Sequence, residues 1–462
     1  MTLPVVDLEW LVASMEWAFV GYFLFLHGSH TLLAAVSVNN MRSRMESVAV
    51  GMLPRLSAGY EIPVSILIPV CQPTADIVET VKAMFGLDYP QFEVIVINDT
   101  GDESVMSELQ SAFDLAIFPQ AYWRQVRSRR VHNVFRSPQL PRLRVIDKKP
   151  GGAGDAINAG VNAARYPIVC IVQPDCILGR DSLRRLIPDF LDDASTVAAG
   201  TAERVANGSF VVNGFLERCR LAGNPLVWIQ AGARLRRDLC TRHGWSSTNA
   251  VLTFGERFCA FRKDAVVQSG GFARDAANPV VELIVRLHRS YTALDQRYRV
   301  AFLPAPLSWR IVPTTFAAVC KATSDELRGL AQALEKNRSQ NSGRNTGVVG
   351  RLAIPYAKLT TIAGPAVEIL AWLFFLSGFA LGAIELQHLI VFAVCAAGLG
   401  IVVSWLSILI DALVFRTYQY AGTYLLLIFF AIFENIGYRQ LIAPCVLRGI
   451  RHRPSGKDSE KQ

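Results

Sequence analysis

KKPGGAGDAINAGVNAARYPIVCIVQPDC, residues 148–176, runs through a glycine-rich turn, a helical segment and a buried strand before it stops at a carboxylate. The turn is Pro150-Gly151-Gly152-Ala153-Gly154. The residues after it predict a helix from Asp155 to Ala164, and the continuous apolar run from Ile168 to Val172 reads as a strand covered on both faces. In an open α/β sheet, ligands sit beyond the carboxyl ends of the strands. Asp175 stands at such an end and is expected to contact a ligand.

The same alternation continues on both sides. Val64 to Pro69 (VSILIP) reads as a buried parallel strand, Ala75 to Phe85 as a helix, and Glu93 to Ile97 (EVIVI) as a second strand that ends in Asn98-Asp99-Thr100-Gly101. Leu143 to Ile146 is a third strand, leading into the glycine turn. Alternating strands and helices imply right-handed βαβ units and a mostly parallel, Rossmann-like sheet. Asp181 to Leu191 reads as an amphipathic helix, Val197 to Gly200 and Val300 to Pro304 as short strands, and 258–271 and 282–291 complete the domain. Between Tyr122 and Arg144 lies a basic arm with interleaved aromatics: Trp123, Arg124, Arg127, Arg129, Arg130, Phe135, Arg136 and Arg142. It reads either as a surface that meets acidic headgroups or as a solvated insertion.

Of the 462 residues, 51% are hydrophobic, and the formal net charge is +9. Together with a mean hydropathy of +0.29, this excludes an ordinary soluble protein. The apolar excess lies near the two ends. Basic charge suits an anionic bilayer surface; no nucleic-acid recognition motif accompanies it, so no nucleic-acid partner is expected. The nine cysteines lack metal-ligand spacing and are expected to be reduced packing residues.

Trp10 to Val38 is long enough to span the roughly 30 Å hydrocarbon core. Asp7 and Glu9 precede it where a signal peptide would carry basic residues. Arg42, Arg44 and Arg55 follow it, which puts the next domain in the cytoplasm by the positive-inside rule. Ala366 to Ile384 and His388 to Val414 are further expected spans. A third apolar run, Tyr424 to Pro444, contains Glu434, Asn435 and Arg439 and precedes a basic tail with Arg448, Arg451, Arg453 and Lys457. If the run spanned, the tail would lie outside, so an interfacial or partly embedded helix is expected. Asp411 and Glu434 mark either a polar path through the membrane or helix ends. The expected organisation is therefore a transmembrane helix over 1–40, the α/β domain over 60–334, a polar linker over 335–350, a membrane region over 351–446 and a cytoplasmic tail over 447–462.

Four stretches, YPQFEVIVIND, GDAINAGVNAARYPIVCIV, VELIVRLHR and ENIGYRQL, together resemble the membrane-embedded family 2 glycosyltransferases related to cellulose and hyaluronan synthases. The resemblance runs from about Val64 to Arg451. It implies a nucleotide-sugar-binding domain of the GT-A type flanked by transmembrane α-helices. It also implies a UDP-sugar or similar donor, Mg²⁺ or Mn²⁺ as cofactor, and a place in the inner (plasma) membrane. On the motif positions it implies nucleotide binding by Asp99, Gly151, Gly152, Asp155, Asn158 and Gln173, and metal binding by Asp175.

Sugar transfer needs a base pocket, a cation or its equivalent on the leaving diphosphate, a base for the acceptor hydroxyl and a clamp. This chain departs from the family at three of these. The usual Asp-x-Asp reads Gln173-Pro174-Asp175. The Glu-Asp before Glu-Leu-Val-x-Arg-Leu-His-Arg falls on Pro279-Val280, and valine accepts no proton. Gln-x-x-Arg-Trp falls on Ala322-Thr323-Ser324-Asp325-Glu326, where acidic groups would repel a diphosphate. The Tyr-Asn-Glu after the first strand reads Cys71-Gln72-Pro73, which alters one pocket wall. Asp275 and Glu282 are the weak remaining candidates for a base; Glu282 is placed for an i,i+4 pair with Arg286. The expectation is a catalytically impaired family member, acting as partner or scaffold of an active glycosyltransferase or other membrane synthase subunit in envelope polysaccharide or glycolipid synthesis. An active transferase with a divergent site and a nucleotide-sensing module are the alternatives.

Overall fold

Every residue of VSILIPV, Val64–Val70 (β1), is buried, as is every residue of FEVIVIN, Phe92–Asn98 (β2). This is the burial that runs without alternation require. In the computed structural model, which describes residues 8–50, 61–73, 77–118, 123–337 and 347–451, they join Leu143–Lys148 (β3) and Ile168–Val172 (β4) as four parallel strands in the order β3-β2-β1-β4. Their carboxyl ends share one edge. That edge collects Cys71, Asp99, the turn after Lys148, and Gln173 to Asp175.

Beyond β4 the sheet becomes mixed. Thr196–Val205 (β5), Phe258–Arg262 (β6) and Arg299–Arg310 (β7) follow, with β6 antiparallel between β4 and β5, and β7 parallel to β5. Because β6 runs the other way, its amino end, Glu256-Arg257, reaches the same edge as the carboxyl ends of β1 to β4. Short strands at both margins bring the sheet to twelve strands among the described residues.

The helix after the glycine turn is Ala153–Ala163, two residues earlier than the sequence predicts. Gly152 has φ of 88°, and a Cβ at Gly154 would lie 2.3 Å from the Ala273 carbonyl oxygen. Both positions therefore demand glycine. The expected helix over 181–191 divides into Ser182–Leu186 and Pro188–Asp192, because Pro188 offers no backbone N–H. The helix expected over 75–85 is Ile77–Met84; Ala75 lies outside the described residues. In the basic arm, Val131–Arg136 forms a strand antiparallel to β3, so this part is an added sheet strand rather than a detached insertion; Tyr122 lies outside the described residues.

Among the described residues, three helices are long and apolar enough to cross a membrane: Glu9–Arg42, Leu386–Phe415 and Ala421–Gly449. Val349–Ile362 and Gly364–Ala380, bent by 47°, make a fourth if counted as one span. The run from Tyr424 onward is not one straight helix. Ala421–Phe433 is regular, helical geometry fails at Ile436 and Gly437, and Arg439–Arg451 follows. Ile442 and Val446 of this last helix pack on Val319 and Cys320 of the Phe316–Lys336 helix. Glu335 belongs to that helix, so the polar linker does not begin there. Residues 338–346 of the linker, Arg55, Arg453 and Lys457 lie outside the described residues.

Asp411 and Glu434 have a use the sequence did not suggest. Asp411 is fully buried; it pairs with Arg204 of β5 at 3.2 Å and accepts from Thr417 and Tyr424. Glu434 pairs with Arg236 at 2.6 Å, in the Pro225–Arg236 helix. Both acids thus bind the α/β domain to the apolar helices.

Candidate functional site

The turn after β3 is built around one buried lysine. Lys148 Nζ lies between Asp99 and Asp155, 2.7 Å from the latter, and none of the three side chains is more than 1% exposed. Asp99 also accepts from the backbone N–H of Gly151 at 3.0 Å and Gly152 at 2.6 Å. Asp155 accepts the Arg129 N–H at 3.0 Å. Asn158 donates to the Arg127 and Phe272 carbonyls and accepts the Phe272 N–H. Four of the residues assigned above to nucleotide binding (Asp99, Gly152, Asp155 and Asn158) thus spend polar groups on holding the turn, as does the Gly151 N–H.

The open space lies instead at the ends of β4 and β6. A cavity of about 390 Å³ is lined by Gln173 from the end of β4, Glu203 and Arg310 from β5 and β7, and Glu256 and Arg257 from the amino end of β6. Gln230, Arg234, Arg237 and Arg242 reach it from the helix beginning at Pro225 and its continuation, Asn278 from the turn before Pro279–Ala293, and Asp325 and Glu326 from the Phe316–Lys336 helix. Of the assigned nucleotide residues, only Gln173 lines it.

Arginines occupy most of its acids, and also Asp175, which is not among its lining residues. Asp175, 51% exposed, is ion-paired to Arg257. Glu203 faces Arg234 at 3.5 Å and Arg310 at 3.9 Å. Glu326 pairs with Arg237. Burial alone would push the Glu326 carboxyl up, but Arg237, Arg234, Arg242 and Arg310 together hold it down at about 2. The repulsion expected at the clamp position is therefore absent, because Glu326 is already neutralised.

Neither candidate base lines this cavity. Asp275 is exposed and paired with Lys336 at 2.6 Å. Glu282 is buried and pairs with Arg286 at 2.9 Å, as its i,i+4 spacing implies. Val280 is packed in the core. The acid that sequence reasoning missed is Glu256. Burial, reinforced by Glu326 and Glu203, pushes its carboxyl up to about 7 against a hydrogen bond from Asn278. A single Glu before an apolar strand gives no signal of its own; only the antiparallel insertion of β6 carries it into the cleft. Arg234, Arg237 and Arg242 likewise carry no sequence signal of their own and reach the cleft only through the tertiary structure.

Glu256 has a measurable pH signature. Between its ordinary value of 4.5 and about 7, the folded protein holds a proton that the unfolded chain releases. The stability this proton contributes is complete below 4.5 and is lost as the pH rises through 7. In thermal unfolding, Glu256→Gln should match the parent at pH 5 and exceed it at pH 8, by up to about 3 kcal/mol. An equal difference at both pH values would remove the buried proton from the account.

The residues do not fit a divalent cation. The first carboxylate of the pair is the amide Gln173, the second is held by Arg257, and no group of three or more His, Cys, Asp or Glu able to hold a metal occurs among the described residues.

The family model described as glycosyltransferase like family 2 matches residues 62–326. The poly-beta-1,6-N-acetyl-D-glucosamine synthase of Staphylococcus aureus (strain MSSA476) is 24% identical over 254 residues, covering 54% of this chain and 50% of that protein. The synthase of the same name from Staphylococcus epidermidis is 22% identical over 260 residues, 56% of this chain and 52% of the relative. The chain thus spans about half the length of these curated relatives. Among solved structures, the mannosyltransferase PcManGT from Pyrobaculum calidifontis, in complex with GDP-Man and Mn²⁺, superimposes with a TM-score of 0.55 at 16% identity, covering 93% of this chain and 99% of that one. This likeness shows a shared fold of the GT-A type.

Proposed function

The chain belongs to the glycosyltransferase-like family 2, and from that membership we propose that it acts without catalysis, as a membrane partner or scaffold of an active glycosyltransferase or other synthase subunit in envelope polysaccharide or glycolipid synthesis. The observation that carries this reading is the occupation of the cleft by ion pairs. Where the family places a metal carboxylate, Asp175 is bound to Arg257; where it places a base, Val280 is in the core; where it places the clamp, Glu326 is bound to Arg237. Losing a positioned base alone costs on the order of 10²–10⁴-fold in rate. The framework residues around these positions are packed in the core, so the fold persists where the chemical groups have changed. The arginines after the first apolar helix favour the inner membrane, with the α/β domain on the cytoplasmic side.

One observation favours a second reading, an active inverting transferase that uses a nucleotide-diphospho-sugar. A carboxyl near pH 7 in the cleft is suited to general-base work. Glu256 would take the acceptor hydroxyl proton as that oxygen bonds to the anomeric carbon, and the bond to the diphosphate would break with its electron pair leaving on the diphosphate.

The deciding experiment supplies the detergent-purified full chain with UDP-GlcNAc, UDP-glucose or GDP-mannose and Mn²⁺. The expected result is neither sugar transfer nor release of nucleoside diphosphate. In cells lacking the chain, Asp175→Ala should restore the phenotype as fully as the parent. Transfer that Glu256→Gln abolishes would replace the scaffold reading with the second one.

A further inference from the structure

We propose that the cleft is a metal-independent receptor for a diphosphate, in which the Arg257 guanidinium stands where a divalent cation would otherwise sit and Arg310 and Arg234 complete the cradle. The disagreement between the cation-binding expectation and the residues present is the starting point. With Gln173 in place of a carboxylate and Asp175 paired to Arg257, a guanidinium is fixed at the end of β4 by the chain itself.

Five arginines, Arg234, Arg237, Arg242, Arg257 and Arg310, line the cavity with Glu203, Glu256, Asp325 and Glu326; Arg257 and Arg242 are also paired with Asp175 and Asp238, and Glu256 is partly protonated near neutral pH. Three of these guanidiniums also carry an unused donor. The Nε–H groups of Arg237, Arg257 and Arg310 are buried and have no acceptor among the described residues. A buried donor without a partner costs free energy until an acceptor arrives. Burial and then the crowding of Arg310 and Arg237 lower Arg234 to about 9, and burial and Arg257 lower Arg310. Guanidiniums crowded in this way are relieved by an anion between them. A diphosphate suits them chemically, because a planar fork of N–H donors pairs with phosphate oxygens and keeps its charge at every physiological pH.

The occupant need not be a specific nucleotide. Asp99, the base-contacting position implied by the resemblance, is spent on Lys148, Gly151 and Gly152. UDP, GDP and inorganic pyrophosphate should therefore bind within a few-fold of one another. The diphosphate has two possible sources, soluble or lipid-linked. Two further cavities share Arg237 and Thr323 with the cleft and extend along Tyr356 to Tyr22 and His27 of the first apolar helix.

The proposal rests on the reading of the cleft as one that binds without turnover, and its test separates the two. Calorimetry on the detergent-purified full chain would measure UDP, GDP and pyrophosphate binding in EDTA and in Mn²⁺. The expected result is binding unchanged by EDTA, and weakened at least about tenfold in Arg257→Gln and in Arg310→Gln, with melting temperatures of both variants close to the parent. If a variant melts early, competition between pyrophosphate and sulfate on the parent, at constant ionic strength and in EDTA, keeps the test open: selective displacement supports the site, and equal weak binding of any anion overturns it. Absence of binding, a requirement for Mn²⁺, or full binding by well-folded Arg257→Gln would also overturn it. In nanodiscs, competition of a polyprenyl diphosphate with pyrophosphate would identify a lipid source, and its failure to compete a soluble one. Sugar transfer would sink the scaffold reading and leave metal-free binding standing; absence of binding would do the reverse.

Discussion

Lys148→Met should destabilise the protein by about 3–5 kcal/mol, the cost of removing one partner from a buried charge network. Lys148 Nζ reaches both Asp99 and Asp155, and all three side chains are buried. Methionine fills similar space but leaves Asp99 without a cation and Asp155 with only the half-exposed Arg274 at 3.8 Å. Asp99 would keep its bonds from Gly151 and Gly152, and Asp155 its bond from Arg129, so the loss falls on charge rather than on hydrogen bonding. The check is thermal unfolding in detergent, where a drop on the order of 10 °C is expected. Because the network fixes the turn, and the Lys149 N–H holds the Arg130 carbonyl at 3.0 Å, limited trypsin digestion should cut after Arg130 faster in the variant. Adding Asp155→Asn to Lys148→Met should recover part of the loss by removing one of the two carboxylate charges that Lys148 had held together. A double variant as unstable as the single would mean that packing of the lysine stem, not charge, sets the effect.

Arg204→Met should cost a similar amount, about 3–5 kcal/mol, through a different failure. Arg204 lies 3.5 Å from Asp238 and 3.2 Å from Asp411, each no more than 1% exposed. Asp238 keeps Arg242 at 2.9 Å. Asp411 keeps only the hydroxyls of Thr417 and Tyr424, so it becomes the uncompensated charge. The contact that fails is the one between β5 and the apolar helices. The parent should therefore melt in one transition and the variant in two, as the α/β domain separates from the membrane part. Replacing both partners by apolar residues, Arg204→Met with Asp411→Leu, should restore most of the stability, since a buried ion pair costs much of what it contributes in desolvation. If the double variant remains as unstable as Arg204→Met, the pair is not what holds the two parts together.

The central strands were legible because each is a short, unbroken apolar run bounded by turn residues, and burial on both faces permits nothing else. Asp99, Gln173 and Asp175 were legible as strand-end residues for the same reason, since position in the chain dictates position at the edge of a parallel sheet. The i,i+4 pair of Glu282 with Arg286 was legible because helical spacing alone brings the two together. The losses at Gln173, Val280 and Glu326 could be read from the chain by comparison with the resembling family, without any structure.

What those residues do instead depended on contacts distant in sequence. Arg257 meets Asp175 because β6 is inserted antiparallel beside β4, and nothing within either segment predicts that pairing. Glu326 reads as repulsive until a helix some ninety positions earlier supplies Arg237. Glu256 acquires its raised pKa only from burial among Glu326 and Glu203. Asp411 and Glu434 looked like polar residues in a membrane segment, and the arginines that neutralise them come from β5 and from the Pro225–Arg236 helix. Periodicity and strand order are local properties, which the sequence carries by itself. Charge compensation is a property of distance in space, and only the tertiary structure decided it.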